Sequence, residues 1–171
     1  MRILLSTLLI FTSLFGIGED TNTMKANFTQ TITDDKNSTL TYSGTMLAKR
    51  PYMAMWHYLQ PIEKSIYIDA NEVTIVEPEL EQAIIKRLDN TIDILAILSS
   101  ATKQPNGSFI ALYHDKEYTI VMNKRSIKQI SYMDAFDNLV IITFKDQKIN
   151  SSIDDSQFTA NIPLDFDVIK D

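Results

Sequence analysis

The 171-residue sequence contains no cysteine, two histidines and four glycines. The lack of cysteine excludes disulfides, thiolate metal ligands and thiol nucleophiles. His57 and His114 are far apart in the chain, so the histidines do not have the spacing of a metal site. The glycines form neither a Gly-x-Ser-x-Gly turn around a nucleophile nor a phosphate-binding loop. These absences predict a protein that is not an enzyme and that needs no metal or cofactor.

Basic residues are in the minority. Sixteen Lys and Arg against 22 Asp and Glu give a formal net charge of −6. Nucleic-acid-binding proteins need a basic face, so no nucleic acid is expected as a partner. The same negative charge argues against firm docking on anionic lipid headgroups.

Long apolar runs are also lacking, apart from one at the amino terminus. Arg2 precedes the apolar run 3–15, and Gly16-Ile17-Gly18 offers small residues for signal cleavage. The run is shorter than the roughly 20 apolar residues of a membrane-spanning helix, and an uncleaved anchor is the alternative. We therefore expect residues 1–18 to be a cleavable signal peptide and residues 19–171 to form a single exported domain.

Alternation with period two dominates the rest of the sequence and predicts strands. Phe28, Gln30 and Ile32 share one face of the first strand. Around the only Trp, in 53–58, both alternating sets are largely apolar, as in a strand that lines a cavity or is buried on two sides. The spacing predicts a mainly β (α+β) fold of about nine to eleven antiparallel strands, in a curved sheet or partial barrel with short helices. Later strands are expected at 65–68, 73–76, 109–113, 117–122, 126–132, 139–144 and 158–162.

Residues 91–99 have the period of a helix instead. Apolar residues recur at helical spacing and cover most of the girth, so the helix must be buried against something. Asn90 or Thr91 is the expected N-cap, and Asp93 favours the first turn.

Candidate catalytic residues have simpler explanations. Asp34-Asp35 and Asp154-Asp155 fall in polar segments that are typical of solvated turns. A lipid hydrolase would need a constellation around Ser65, His57 or His114, and none of these residues has suggestive spacing.

Several motifs, taken together, are similar to one known family. A charged Arg50-Pro51 step leads into Trp56-His57-Tyr58 and then Pro61. This order and spacing resembles the outer-membrane lipoprotein carrier protein (LolA) family, and the match extends from about Ala26 onward. Further matching residues are Ala26, Phe28, Gln30, Gly44, Val73–Val76, Pro78, Glu81, Gln82, Asn90, Thr91, Phe158, Thr159 and Pro163.

The resemblance implies a fold and a site. The fold would be an incomplete antiparallel β-barrel, or half-barrel, covered by a small helical lid that encloses a hydrophobic cavity. Arg50 would be the latch that holds the lid, whereas without the resemblance Arg50 reads as a surface residue before a strand. Trp56 would line the cavity or belong to the core. The candidate cavity residues are Phe28, Tyr42, Met46, Met53, Met55, Trp56, Tyr58, Ile92, Leu95 and Leu98.

The resemblance also implies a function. The protein would be a monomeric periplasmic chaperone that binds the acyl chains of lipoproteins. It would receive lipoproteins from an inner-membrane lipoprotein-releasing ABC transporter and deliver them to an outer-membrane acceptor. The alternative is a lipid- or lipoprotein-binding sensor on the same fold that does not transport its ligand.

Overall fold

The computed structural model describes residues 20–89 and 93–170. The expected signal peptide 1–18, the expected caps Asn90 and Thr91, and the candidate cavity residue Ile92 lie outside these ranges. In the described residues the fold is mainly β, with one short α-helix, α1 (Ile94–Ser99), and the 3-10 helices Pro78–Leu80 and Asp155–Phe158. The strands are β1 Thr23–Thr33, β2 Thr39–Lys49, β3 Met53–Gln60, β4 Lys64–Asp69, β5 Glu72–Glu77, β6 Gln82–Arg87, β7 Thr102–Lys103, β8 Phe109–Tyr113, β9 Lys116–Asn123, β10 Ser126–Met133, β11 Leu139–Ile149 and β12 Asp167–Lys170.

All twelve strands form one open sheet. Their order is β12-β6-β5-β4-β3-β2-β1-β11-β10-β9-β8-β7, so β12 and β7 are its edges. Most neighbours are hairpins, and the pairing of β1 with β11 joins the two halves of the chain. The mainly β fold class is therefore confirmed.

Three details differ from expectation. The sheet has twelve strands among the described residues, because β7 and β12 had no alternating signal. β12 pairs with β6 in parallel, whereas an all-antiparallel sheet was expected. The expected strand 158–162 is absent, since Phe158 ends a 3-10 helix whose N-cap Asp154 accepts a hydrogen bond from the Ser156 amide.

The main core lies between α1 and one face of the sheet. Successive strand side chains alternate between faces, so every second residue of β1 contributes to this core. α1 is apolar around most of its surface and buries four of its six side chains here, which matches the sequence expectation. The most deeply buried side chains include Met24, Met46, Leu95, Leu98, Ile120 and Val140.

The carboxy-terminal segment covers part of the opposite face. The 3-10 helix Asp155–Phe158 contacts β3 and β4, and Ile153 and Phe158 are buried. The ammonium of Lys49 donates to the carbonyl oxygen of Ile153 at 3.1 Å and forms an ion pair with Asp155. The outer face of β3 is therefore apolar because it is covered by chain more than 90 residues further along.

The start of α1 is set by Asp93. Its carboxylate accepts hydrogen bonds from the amides of Leu95 at 2.9 Å and Ala96 at 3.0 Å, which satisfies two amides of the first turn. The helix thus begins at Ile94, three residues later than the expected 91. Asp93, which was expected within the first turn, is instead the N-cap.

We expect Asp93→Ala to lower the free energy of unfolding by about 1–2 kcal/mol, because the buried amide of Leu95 and the half-buried amide of Ala96 would lose their acceptor. Urea denaturation measures the loss. Asp93→Asn is the matched control, since asparagine also caps well. Equal losses in the two variants would contradict the capping role.

Candidate functional site

A cavity of about 170 Å³ lies between α1 and the sheet. Its walls come from β3, β4, β9, β10 and β11, and α1 covers it. It is mainly apolar, as binding sites for hydrophobic ligands are. The lining residues are Ala54, Trp56, Ile68, Ile94, Ile97, Lys116, Tyr118, Ile130, Tyr132 and Ile142.

Aromatic contacts fix the Trp56 wall. The Phe28 ring meets the rings of Trp56 and Tyr58 edge-on, each with a centroid separation of 5.0 Å. Phe28 also lies opposite Gly44 in the pairing of β1 with β2. Gly44 in turn pairs with Tyr58, and the absence of a side chain at position 44 leaves room for the Phe28 ring, whose Cε1 would lie 3.0 Å from an added Cβ. The indole is thereby held in place before any ligand arrives.

Beyond Trp56, the polar groups around Tyr58 have hydrogen-bond or cation–π partners. The Tyr58 hydroxyl donates to Oε1 of Gln30 at 2.8 Å, and both side chains are buried. Burial raises the pKa of Tyr58 well above its usual value, so the phenol remains a neutral donor. The ammonium of Lys64 lies 5.2 and 4.8 Å from the ring centroids of Tyr42 and Tyr58, within the range of cation–π attraction.

Arg50 connects α1 to the strands. Its Nε donates to the carbonyl oxygen of Thr21 at 2.8 Å. Its Nη2 donates to the carbonyl oxygen of Leu95 at 3.0 Å and to the hydroxyl of Ser99. Because Leu95 and Ser99 belong to α1, one guanidinium bonds both to the segment before β1 and to the helix above the cavity.

Comparison with known proteins identifies the family. The family model described as outer membrane lipoprotein carrier protein LolA matches residues 19–161. The chain belongs to the LolA family. The expected resemblance is confirmed.

Three LolA-family relatives, each named outer-membrane lipoprotein carrier protein, cover most of the chain. The Campylobacter jejuni protein is 41% identical over 157 residues, covering 92% of each chain. The Wolinella succinogenes protein is 32% identical over 153 residues and 89% of each chain. The Helicobacter hepaticus protein is 30% identical over 175 residues, covering 99% of this chain and 98% of its own.

Solved structures share the fold. A LolA-superfamily protein from Nitrosomonas europaea aligns with a TM-score of 0.52 at 11% identity, covering 82% of this chain and 91% of its own. An uncharacterised conserved protein from Thermus thermophilus aligns with a TM-score of 0.54 at 13% identity, covering 88% and 91%. At these identities the likeness concerns the fold alone.

The structure places the described LolA-type cavity candidates in four different positions. Trp56 lines the cavity, and Tyr42 packs against the surrounding core. Met53 and Met55 do not line it, contrary to expectation, because they alternate with Ala54 and Trp56 and therefore belong to the opposite face. The candidates buried in the core around the cavity are Phe28, Met46, Tyr58, Leu95 and Leu98.

Sequence reasoning missed the second wall. Lys116, Tyr118 and the buried Ile120 alternate along β9, and Ile130 and Tyr132 alternate along β10. The alternation of these strands was visible, but the inward face could not be chosen without the pairing register. The cavity forms where β3 and β4 come together with β9, β10 and β11 under α1.

The described residues hold no cluster of three or more His, Cys, Asp or Glu side chains that could bind a metal ion. None of the helices within these residues has the length and apolar character needed to cross a membrane.

Proposed function

We propose that this protein is a periplasmic lipoprotein chaperone. It accepts the acyl chains of lipoproteins released from the inner membrane and carries them to an acceptor at the outer membrane. The observation that carries this proposal is the apolar cavity under α1 in a chain whose relatives are named outer-membrane lipoprotein carrier protein. In this proposal residues 1–18 are the export signal, and residues 19–171 are the carrier domain.

The carrier is a half-barrel with α1 as its lid. The cavity of about 170 Å³ is smaller than the roughly 300–1,000 Å³ of most small-molecule sites. Several acyl chains therefore fit only when α1 moves away from the sheet. α1 is short and is connected to the strands by apolar packing and by Arg50, which is the proposed latch.

The latch favours the closed, ligand-free form. The carbonyl oxygen of Leu95 accepts from both Arg50 Nη2 and Ser99 Oγ, so the charged contact is made to helix backbone. Hydrogen bonds to charged groups contribute about 1.5–3 kcal/mol each. A contact of that size keeps α1 down without ligand, and burial of acyl chains offsets its loss.

The surface charge suits a shuttle that leaves the membrane. The turns at 34–38, 61–63, 78–81, 114–115 and 134–138 all lie at one end of the sheet. Together with the residue on each side of every turn they carry nine Asp and Glu against three lysines, Lys36, Lys64 and Lys116. Such a rim is repelled by anionic headgroups, so the protein is held by its partners rather than by lipid.

The proposed partners are acylated lipoproteins, an inner-membrane lipoprotein-releasing ABC transporter and an outer-membrane acceptor. The carrier acts as a monomer without bond-making chemistry or a cofactor. A sensor on the same fold would bind acylated ligand but would not pass it between membranes. The names of the relatives favour transport.

Native mass spectrometry of the chain from residue 19 tests the proposal. We expect a one-to-one complex with a triacylated lipopeptide and none with its deacylated twin. A second step measures transfer of the bound lipopeptide to outer-membrane vesicles. Binding of neither peptide would overturn the proposal, and binding without transfer would favour the sensor.

A further inference from the structure

The polar atoms of the cavity lining are gathered on one wall. Six of the ten lining side chains are pure hydrocarbon, and Trp56 on β3 adds an indole. The remaining three, Lys116, Tyr118 and Tyr132, all come from the neighbouring strands β9 and β10. The rings of Tyr118 and Tyr132 lie with their centroids 5.1 Å apart. The cavity therefore has an apolar side under α1 and a polar side on β9 and β10.

The two phenols on the polar side have no hydrogen-bond acceptor among the described residues. Neither hydroxyl forms a hydrogen bond with another described residue, whereas Tyr58 on the opposite wall bonds to Gln30. Both side chains are half-buried, so their hydroxyls can donate to water or to a bound ligand. Burial raises the pKa of Tyr132 to about 12 and raises that of Tyr118 as well, so both hydroxyls keep their protons near neutral pH.

Lys116 adds a cation to the same wall. Its exposed side chain lines the rim of the cavity two residues before Tyr118 on β9. Hydrogen bonds from Asn138 and, to a smaller extent, the charge of Lys116 lower the pKa of the nearby Asp134. An ammonium can only donate hydrogen bonds, and the neutral phenols are also donors. The wall thus presents three donor groups to a mainly apolar space.

We propose that Tyr118, Tyr132 and Lys116 form a subsite for the carbonyl oxygen at the head of an acyl ligand. The ligand lies with its carbonyl group on β9 and β10 and its hydrocarbon chain toward Ile94 and Ile97 of α1. The shared chemistry is an acyl carbonyl, which an acylglycerol ester or a fatty-acid carboxylate supplies. This inference rests on the proposed function, because it gives the acyl chains of that cavity an orientation.

The subsite predicts that the protein distinguishes an ester from an ether of equal chain length. Monolauroylglycerol and its dodecyl ether have the same glycerol head and similar apolar surface, but only the ester has a carbonyl oxygen. Because hydrogen bonds to a neutral carbonyl oxygen are modest in strength, we expect about threefold to tenfold tighter binding of the ester. Because Trp56 lines the cavity and is the only tryptophan, its fluorescence reports the titration.

The variant Tyr118→Phe/Tyr132→Phe removes both hydroxyls and keeps both rings. We expect it to bind ester and ether equally, with ether affinity unchanged from wild type. Tyr67→Phe is the control, since Tyr67 faces the carboxy-terminal segment on the other side of the sheet, and it should keep the ester preference. Thermal unfolding of each variant confirms that the fold is intact.

A dodecanoate titration with Lys116→Met distinguishes the two sources of the carbonyl. A carboxylate ligand loses affinity severalfold in this variant, while the neutral ester depends mainly on the phenols. The proposal is overturned if wild type binds ester and ether equally, if it binds neither, or if the double variant keeps the preference. The lipopeptide experiment is scored separately, so a carrier without this subsite would bind lipopeptide and show no ester preference.

Discussion

Gly44→Ala is expected to lower the free energy of unfolding by about 3 kcal/mol, at the upper end of the usual range for overpacking. An alanine Cβ at position 44 would lie 2.0 Å from the carbonyl oxygen of His57 and 3.0 Å from Cε1 of Phe28. The closer atom is backbone, so no side-chain rotation relieves the clash. Relief requires β2 and β3 to separate where their register already shifts, between Ser43 and Gly44.

Urea denaturation of Gly44→Ala measures this effect, with Ser43→Ala as the matched control. Ser43 is the neighbouring residue and faces the other side of β2, so its truncation should change stability by less than about 0.5 kcal/mol. Lipopeptide binding should weaken in Gly44→Ala, because Phe28 and Tyr58 hold the Trp56 wall. A Gly44→Ala protein as stable as wild type would show that β2 and β3 adjust at this site without cost.

β3, the strand that carries Trp56, shows which structural features a sequence pattern predicts and which it does not. Alternation predicted β3 and its two apolar faces correctly, but it could not say which face meets the cavity. Met53 and Met55 are apolar because the segment around Phe158 covers their side of the sheet. That covering depends on a contact between residues about 100 positions apart, which no local pattern contains.

Short elements were the least predictable. Position 93 was expected within the first turn of α1, yet Asp93 is the cap, because the choice among nearby polar residues depends on where the helix packs. All four residues of β12 are exposed, so the strand has no buried-face alternation, and its pairing with β6 follows from tertiary structure. The second cavity wall was missed for the same reason, since register alone brings Tyr118 and Tyr132 beside each other.

Arg50→Leu is expected to loosen α1 and to raise the affinity for a triacylated lipopeptide. The change removes the charged hydrogen bonds to the carbonyl oxygen of Leu95 and to the Ser99 hydroxyl. If those bonds favour the closed, ligand-free form by about 1.5–3 kcal/mol, their loss makes the open form more accessible by the same free energy. Affinity should then rise about tenfold or more, and release to an acceptor should slow accordingly.

Two measurements separate a latch from a purely structural contact. Hydrogen exchange at the amides of Ile97 and Ser100 should accelerate about tenfold or more in Arg50→Leu, because both bond within the helix that the guanidinium holds. Arg87→Leu is the control, since Arg87 is exposed at the end of β6 and makes no hydrogen bond to α1 among the described residues, so it should change neither exchange nor affinity. Faster exchange with unchanged lipopeptide affinity and release would mean that Arg50 stabilises α1 without controlling access to the cavity. Higher affinity together with faster exchange would connect the two, because only a contact present in the closed form and lost in the open form changes both.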